Sequence, residues 1–223
     1  MYITIEPYQC DRYANLLARM YAKRSGAACE RRGAGSRGER DLYDDMLPVY
    51  LVDTDAGATD VVSSVRLLPT TGPTLTQQLG VRDGGKAVSL QSPTIWEASR
   101  LSIGGADTPR NFQRQIGRLF LACHRLGLRG GIEALTLLLD DAQLDGCVNA
   151  GARLDLIGAV EGADALHLTL VDITTPAMGS VRARLAEVAA GRPGREPAVV
   201  RQLFPAASGR VLAPWRSRIG LAG

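Results

Sequence analysis

Apolar and polar positions change period along this chain, and each change marks an element. Residues 3–5 read as a short strand. Residues 11–23 have helical spacing, with Tyr13, Leu16, Leu17, Met20 and Tyr21 on one side and Asp11 placed to cap the start. Residues 25–40 are rich in Gly, Ala and Arg and have no period, which predicts a loop. Residues 39–45 carry four acidic side chains in seven and read as a solvated turn. Residues 49–52 and 61–68 read as two strands of a hairpin, turned between Asp53 and Asp60. Pro73 opens a short helix ending near Leu79, residues 80–93 form a polar connection, and residues 94–103 make the next strand.

The clearest helix covers residues 111–128. Phe112, Ile116, Leu119, Phe120, Cys123 and Leu126 form its apolar face, and Gly127 and Gly130 end it. Arg114, Arg118, Arg125 and Arg129 share another face, either solvated or a docking surface for an acidic partner. A strand at 134–139, a helix at 141–150, strands at 154–160 and 165–173, and a helix at 175–189 follow. Strands thus alternate with helices after a hairpin start. The pattern predicts an α/β fold, a mixed twisted sheet with helices on both faces. No repeat or linker divides it. Residues 1–190 form a single domain, and 191–223, with Pro193, Pro197, Pro205 and Pro214, form a C-terminal tail.

Composition narrows the classes. A chain of 223 residues with 45% apolar content buries an ordinary core. No apolar run approaches the ~20 residues of a membrane span, and the first residues lack a signal-peptide pattern, so the expectation is a cytoplasmic protein. A net charge of +3 is too small to imply nucleic acid. Lys23 and Lys86 are the only lysines; codon composition explains that as well as selection does, so the positions of the arginines matter and their number does not. Cys10, Cys29, Cys123 and Cys147 are scattered, which predicts reduced thiols and no metal site. His124 and His167 have no nucleophile and acid at triad spacing.

Candidate chemistry concentrates in residues 65–103. Two mostly apolar strands carry Arg66, Glu97 and Arg100. A buried ion without a partner is costly, so these charges form either a paired network in a cleft or ordinary salt bridges on edge strands. Spacing alone leaves both open.

Here the sequence resembles the acyl-homoserine lactone synthases, the autoinducer synthases of bacterial quorum sensing. The matching residues are Glu39, Asp41, Tyr43 and Asp44, then Tyr50-Leu51, then Arg66-Leu67-Leu68-Pro69-Thr70-Thr71-Gly72-Pro73, then Trp96-Glu97-Ala98-Ser99-Arg100. Weaker similarity runs over residues 24–158. The resemblance implies a fold like that of the N-acetyltransferases. It also implies a reaction in which the amine of S-adenosylmethionine attacks an acyl thioester, and the product lactonises with release of methylthioadenosine. S-Adenosylmethionine is then a substrate, and no cofactor or metal is implied.

By position, the resemblance makes Arg24, Asp41, Asp44, Arg66, Glu97 and Arg100 the family's charged network. Glu97 is its candidate general base, directly or through a water. Arg100 and Asp41 are expected to touch S-adenosylmethionine, Asp44 and Arg66 to orient them, and the main chain near Leu101 and Ile103 to contact the same ligand. Thr70, Leu79, Ser99 and the strand from Thr136 to Asp140 are expected near the acyl chain. Arginines hold a carboxylate in a fork, carboxylates hold an amine or sulfonium, and a base must deprotonate the ammonium. Four aromatic positions of the family depart: Ala28 and Ala34 stand for Phe and Trp, and Leu79 and Leu101 for Phe. Tyr21 and Trp96 are expected to help close the site, or the protein is a weak synthase.

The donor is acyl-carrier protein, which suits the Arg114–Arg118–Arg125–Arg129 face, or acyl-coenzyme A, whose users are similar at Ile95-Trp96-Glu97. Two other readings stand beside this one. An acyltransferase with another amine acceptor is disfavoured, because the glycine-rich pyrophosphate loop has only a poor echo at residues 113–117. A degenerate member that binds without turnover is disfavoured by retention of the whole charged set.

Overall fold

The hairpin lies one strand in from an edge of a ten-stranded mixed sheet in the computed structural model, which describes residues 2–32, 40–57, 60–83, 86–104, 108–160, 166–192 and 201–202. In chain order the elements are β1 (Tyr2–Ile5), α1 (Ala14–Arg32), β2 (Val49–Thr54), β3 (Val61–Pro69), α2 (Leu75–Leu79), β4 (Val81–Asp83), β5 (Lys86–Ala87) and β6 (Ile95–Ile103). Then come α3 (Pro109–Gly130), β7 (Ala134–Asp140), α4 (Asp141–Asn149), β8 (Leu154–Val160), β9 (Leu166–Asp172), α5 (Thr175–Ala189) and β10 (Arg201–Gln202). The spatial order is β1-β2-β3-β6-β7-β9-β8-β4-β5, with β10 beside β8.

The join between β6 and β7 matters most for the site. These strands are parallel and pair only at Ile95↔Ala134, Trp96↔Leu135 and Glu97↔Thr136. Beyond that point β6 stays with β3 and β7 stays with β9. The sheet therefore unzips between them just past Glu97 and Thr136.

Side-chain alternation sends each strand's apolar residues to two faces. On one face, Leu51, Leu67, Ala98 and Leu135 pack under Ile116, Leu119 and Phe120 of α3, together with Val148 of α4 and Val181 of α5. Helix α3 starts where Thr108 Oγ1 accepts the Asn111 N–H at 3.2 Å and Pro109 occupies the first turn. It ends at Gly131, whose φ of 71° is costly for any residue with a β-carbon. On the other face, Leu16, Leu17 and Met20 of α1 cover Ile5, Tyr50, Val52 and Val61. Farther along that face, Ile95, Ala134, Leu168 and Leu170 pack with Val81 and Leu90. Helices thus lie on both faces, as the alternation predicts.

Three expectations need correction. Residues 25–32, read as loop, continue α1. Ala27, Ala28, Glu30, Arg31 and Arg32 are strong helix formers, and their propensity carries a segment with no apolar stripe. Residues 33–39, including Ala34 and Glu39, lie outside the described residues. The polar connection at 80–93 contains β4 and β5, an edge hairpin pinned to β8 at Val81↔Val160. The buried Val81 anchors it, a signal too short to give a period. Within the segment read as a tail, Arg201 and Gln202 pair in parallel with Asp155 and Leu156 of β8.

Candidate active site

Strand register places Tyr50, Arg66 and Ser99 in one row across β2, β3 and β6. All three face the α1 side. Arg66 is 0% exposed, so its guanidinium must find its partners inside the protein. Its Nε–H donates to Ser99 Oγ at 3.2 Å, and its Nη1 reaches both Asp41 and Asp44.

The acidic run supplies those partners. Asp41 caps a single 3-10 turn (Leu42–Asp45), its Oδ1 accepting the Tyr43 and Asp44 N–H groups at 3.0 and 3.1 Å. Asp44 answers, its Oδ2 accepting the Asp41 N–H at 2.9 Å. This reciprocal cap aims both carboxylates inward. Asp44 Oδ1 accepts from Arg24 Nη1 at 3.0 Å, Tyr50 Oη at 2.8 Å and Arg66 Nη1 at 3.0 Å. Among the described acidic residues of this run Asp45, paired with Arg40 at 2.5 Å, matches the solvated turn expected here, whereas Asp44 is buried.

Arg100 arrives by a distortion of β6. Register shifts between the Ser64↔Ser102 and Arg66↔Ser99 pairs, and Arg100 takes a φ of 55°. This bulge inserts an extra residue and reverses the alternation. The Leu101 and Ile103 side chains therefore pack toward α3, while Arg100 turns to Asp41. Its Nε and Nη2 donate to Asp41 Oδ2 at 2.8 and 2.6 Å, a fork on one oxygen.

Glu97 lies two residues before Ser99 on the same face and is 1% exposed. Its Oε2 accepts the Thr76 N–H at 2.8 Å and the Thr76 hydroxyl at 2.7 Å, and its Oε1 accepts the Leu75 N–H at 3.3 Å. Thr136, its neighbour across the last parallel rung, is buried, and its hydroxyl has no hydrogen-bond partner among the described residues.

Aromatic rings enclose the guanidinia. Arg24 lies 5.3 Å from the Tyr21 ring centre and 5.5 Å from that of Tyr50, and Arg66 lies 5.3 Å from that of Tyr43. Tyr21 thus stands at the site as expected. Trp96 does not: it packs on the α3 face, because alternation puts it opposite Glu97.

The electrostatics follow from this crowding. Burial pushes the Asp41 carboxyl up, but hydrogen bonds from Arg66 and Arg100 overcome it and bring it down to about 2. Asp44 moves down too, against burial, through the Asp41 N–H, Arg24 and Arg66. Burial works against the Arg66 cation, and Asp41 and Asp44 more than restore it. Asp41, Asp44 and Arg66 are therefore held in their ionised forms. Two buried N–H groups, Arg24 Nε and Arg66 Nη2, have no hydrogen-bond acceptor among the described residues.

The structure thus gathers Arg24, Asp41, Asp44, Arg66, Ser99 and Arg100 into one network, with Glu97 and Thr136 beside it on the same face. Other expected residues are occupied elsewhere. Thr70 Oγ1 donates to the Ser92 and Ile95 carbonyls, which fixes the loop before β6. Asp140 accepts the Gln143 N–H at 2.7 Å as the cap of α4. Leu79 is 38% exposed at the end of α2. Arg114, Arg118, Arg125 and Arg129 are all exposed along α3, and Arg118 pairs with Asp53 at 3.0 Å. His124 is buried on α3 with Nδ1 2.8 Å from the Phe120 carbonyl, away from this network. Cys123 and Cys147 are buried, which pushes their thiols up to about 12. Among the described residues no cluster has a metal-ligand set, and no helix is long and apolar enough to cross a membrane. Thr76 was not legible in the sequence; a threonine in a short polar helix carries no mark of a partner 21 residues away.

Comparison with known proteins places this geometry. An acyl-homoserine-lactone synthase of Rhizobium etli is 31% identical over 164 residues, 70% of this chain and 76% of that protein. The structure of BjaI, a CoA-dependent acyl-homoserine lactone synthase with SAM and isopentyl-CoA, is similar with a TM-score of 0.67 and 25% identity, over 93% of this chain and 95% of that one. A protein of Lactobacillus plantarum described as an N-acetyltransferase shares the fold alone, with a TM-score of 0.52 and 13% identity over 78% of this chain and 98% of that one. The family model described as autoinducer synthase matches residues 12–128, which span every member of the charged network, so this chain belongs to the autoinducer synthase family and is an acyl-homoserine lactone synthase, an acyltransferase.

Proposed function

We propose that the network of Arg24, Asp41, Asp44, Arg66 and Arg100 binds S-adenosylmethionine, and that Glu97 is the general base for its acylation. The observation that carries this is the pair of buried, unsatisfied guanidinium N–H groups beside carboxylates held ionised. An unmet buried donor costs about 1–3 kcal/mol, which the carboxylate of an amino-acid ligand would recover. Asp41 offers negative charge to the ammonium or sulfonium. Tyr21, Tyr43 and Tyr50 supply an aromatic surface around the guanidinia of the network.

The thioester is placed at the gap between β6 and β7, which begins beside Glu97. Glu97 takes a proton from the ammonium, directly or through a water. The amine then attacks the thioester carbonyl; an N–C bond forms, the C–S bond breaks, and the thiolate leaves with a proton. The methionine carboxylate next attacks its own γ-carbon and breaks the bond to the sulfonium. Methylthioadenosine departs as a neutral thioether, and a homoserine lactone amide remains. No cofactor enters this scheme.

The donor is an acyl-carrier protein or acyl-coenzyme A. The likeness to BjaI favours coenzyme A, and the exposed arginines of α3 suit an acidic carrier protein. Glu97→Gln and Arg100→Ala test the assignment. Both variants should fold and make no lactone. Undiminished product from both would remove these residues from the mechanism.

A further inference from the structure

Thr76 supplies two of the three hydrogen bonds that the described residues make to the Glu97 carboxylate, through its N–H at 2.8 Å and its hydroxyl at 2.7 Å. Both fall on Oε2, so that oxygen is tied to α2. Among the described residues Oε1 receives only the longer Leu75 bond at 3.3 Å, which leaves it acceptor capacity. The carboxylate is thereby divided into an anchored oxygen and a working one. Thr76 is 7% exposed, so water does not compete for its hydroxyl.

The helix that carries Thr76 is itself clamped. Thr74 caps it, with Oγ1 3.4 Å from the Gln77 N–H. The Gln77 side-chain amide donates to the Thr70 carbonyl at 2.9 Å. The Tyr43 hydroxyl donates to Gln78 Oε1 and lies 3.4 Å from the Thr74 carbonyl. Tyr43 sits between Asp41 and Asp44 in the capped turn. An unbroken set of contacts therefore ties the acidic turn to α2, and α2 to Glu97.

We propose that Thr76 is a positioning residue for the acylation step, its hydroxyl fixing Glu97 so that Oε1 meets the substrate ammonium. This rests on Glu97 acting as the base. The geometry explains why a helix of only five residues is pinned so firmly: its first turn sets the angle of the base. It also predicts which kinetic constant responds. Thr76 touches no member of the ion-pair network, so S-adenosylmethionine binding should not depend on it.

The experiment compares Thr76→Val, Thr76→Ala and Thr76→Ser with the wild type. Valine keeps the shape and the N–H but loses the hydroxyl. Alanine loses the hydroxyl and adds no methyl group, so it serves if valine does not fold. Serine keeps the donor. The expected result is a kcat lowered about tenfold in the hydroxyl-free variants, with KM for S-adenosylmethionine unchanged and kcat restored by serine. A hydroxyl-free variant with the wild-type kcat, or a serine variant as impaired as alanine, overturns the proposal. Wild-type protein that forms no lactone would instead overturn the reading of Glu97 on which it depends.

Discussion

Arg66 and Asp44 form an ion pair at 3.0 Å with both side chains wholly buried. Asp44 also holds Arg24 at 3.0 Å, so one carboxylate faces two guanidinia. Breaking a buried pair strands a charge and costs roughly 3–5 kcal/mol. Asp41 still contacts Arg66, so the expected loss for Asp44→Ala lies at about 3 kcal/mol, the lower end of that range. Urea unfolding monitored by circular dichroism measures it. A loss under ~1 kcal/mol would mean that the pair holds only by solvent access.

Acid sensitivity follows from the same carboxylates. Asp41 is lowered to about 2 from an ordinary 3.8, and Asp44 moves in the same direction. A lowered carboxylate contributes stability that is complete above its unfolded value. That stability is lost as pH falls toward the folded value. Unfolding free energy should therefore decline as pH falls from about 4 toward about 2, and Asp41→Asn should make the decline shallower. Urea titrations across that window test it; an equal slope in the variant would exclude Asp41 as a source.

Arg100 occupies left-handed backbone at φ 55°, where a β-carbon is unfavourable. Arg100→Ala keeps that penalty and loses the fork to Asp41. Arg100→Gly loses the fork and the penalty together. The glycine variant should be about 1 kcal/mol more stable than the alanine variant, with lactone formation lost in both. Thermal unfolding of the two proteins side by side decides it.

The far edge of the sheet has its own weak point. A β-carbon added at Gly158 would stand 2.6 Å from the Arg82 carbonyl oxygen on β4. That neighbour is backbone and cannot swing aside. Gly158→Ala should destabilise the fold by about 1–3 kcal/mol through separation of β4 from β8. Faster amide exchange confined to β4, β5 and β8 would be the local signature.

Much of this was legible in the sequence because the signals are local. The apolar, β-branched runs at 49–52 and 61–68 and the stripe of α3 need no distant partner to be read. The charged set was legible through the family resemblance, since spacing alone left a buried network and edge salt bridges both open. What stayed hidden depends on long-range geometry. Alternation alone points Arg100 to the face of Ala98, and only the bulge brings it to Asp41. The run at 41–45 looks solvated by composition, yet the Asp41-x-x-Asp44 cap turns it inward. Thr76 acquires its role only when α2 folds back on β6. The helix at 25–32 lacks a stripe, so propensity was its only mark.

The most direct test incubates the purified protein with S-adenosylmethionine and a panel of acyl-carrier-protein and acyl-coenzyme A thioesters. Mass spectrometry then follows both products. The account predicts an acyl-homoserine lactone and methylthioadenosine in equal amounts from one donor class, with neither formed by Glu97→Gln. S-Adenosylmethionine that binds but yields no methylthioadenosine with any donor would contradict it.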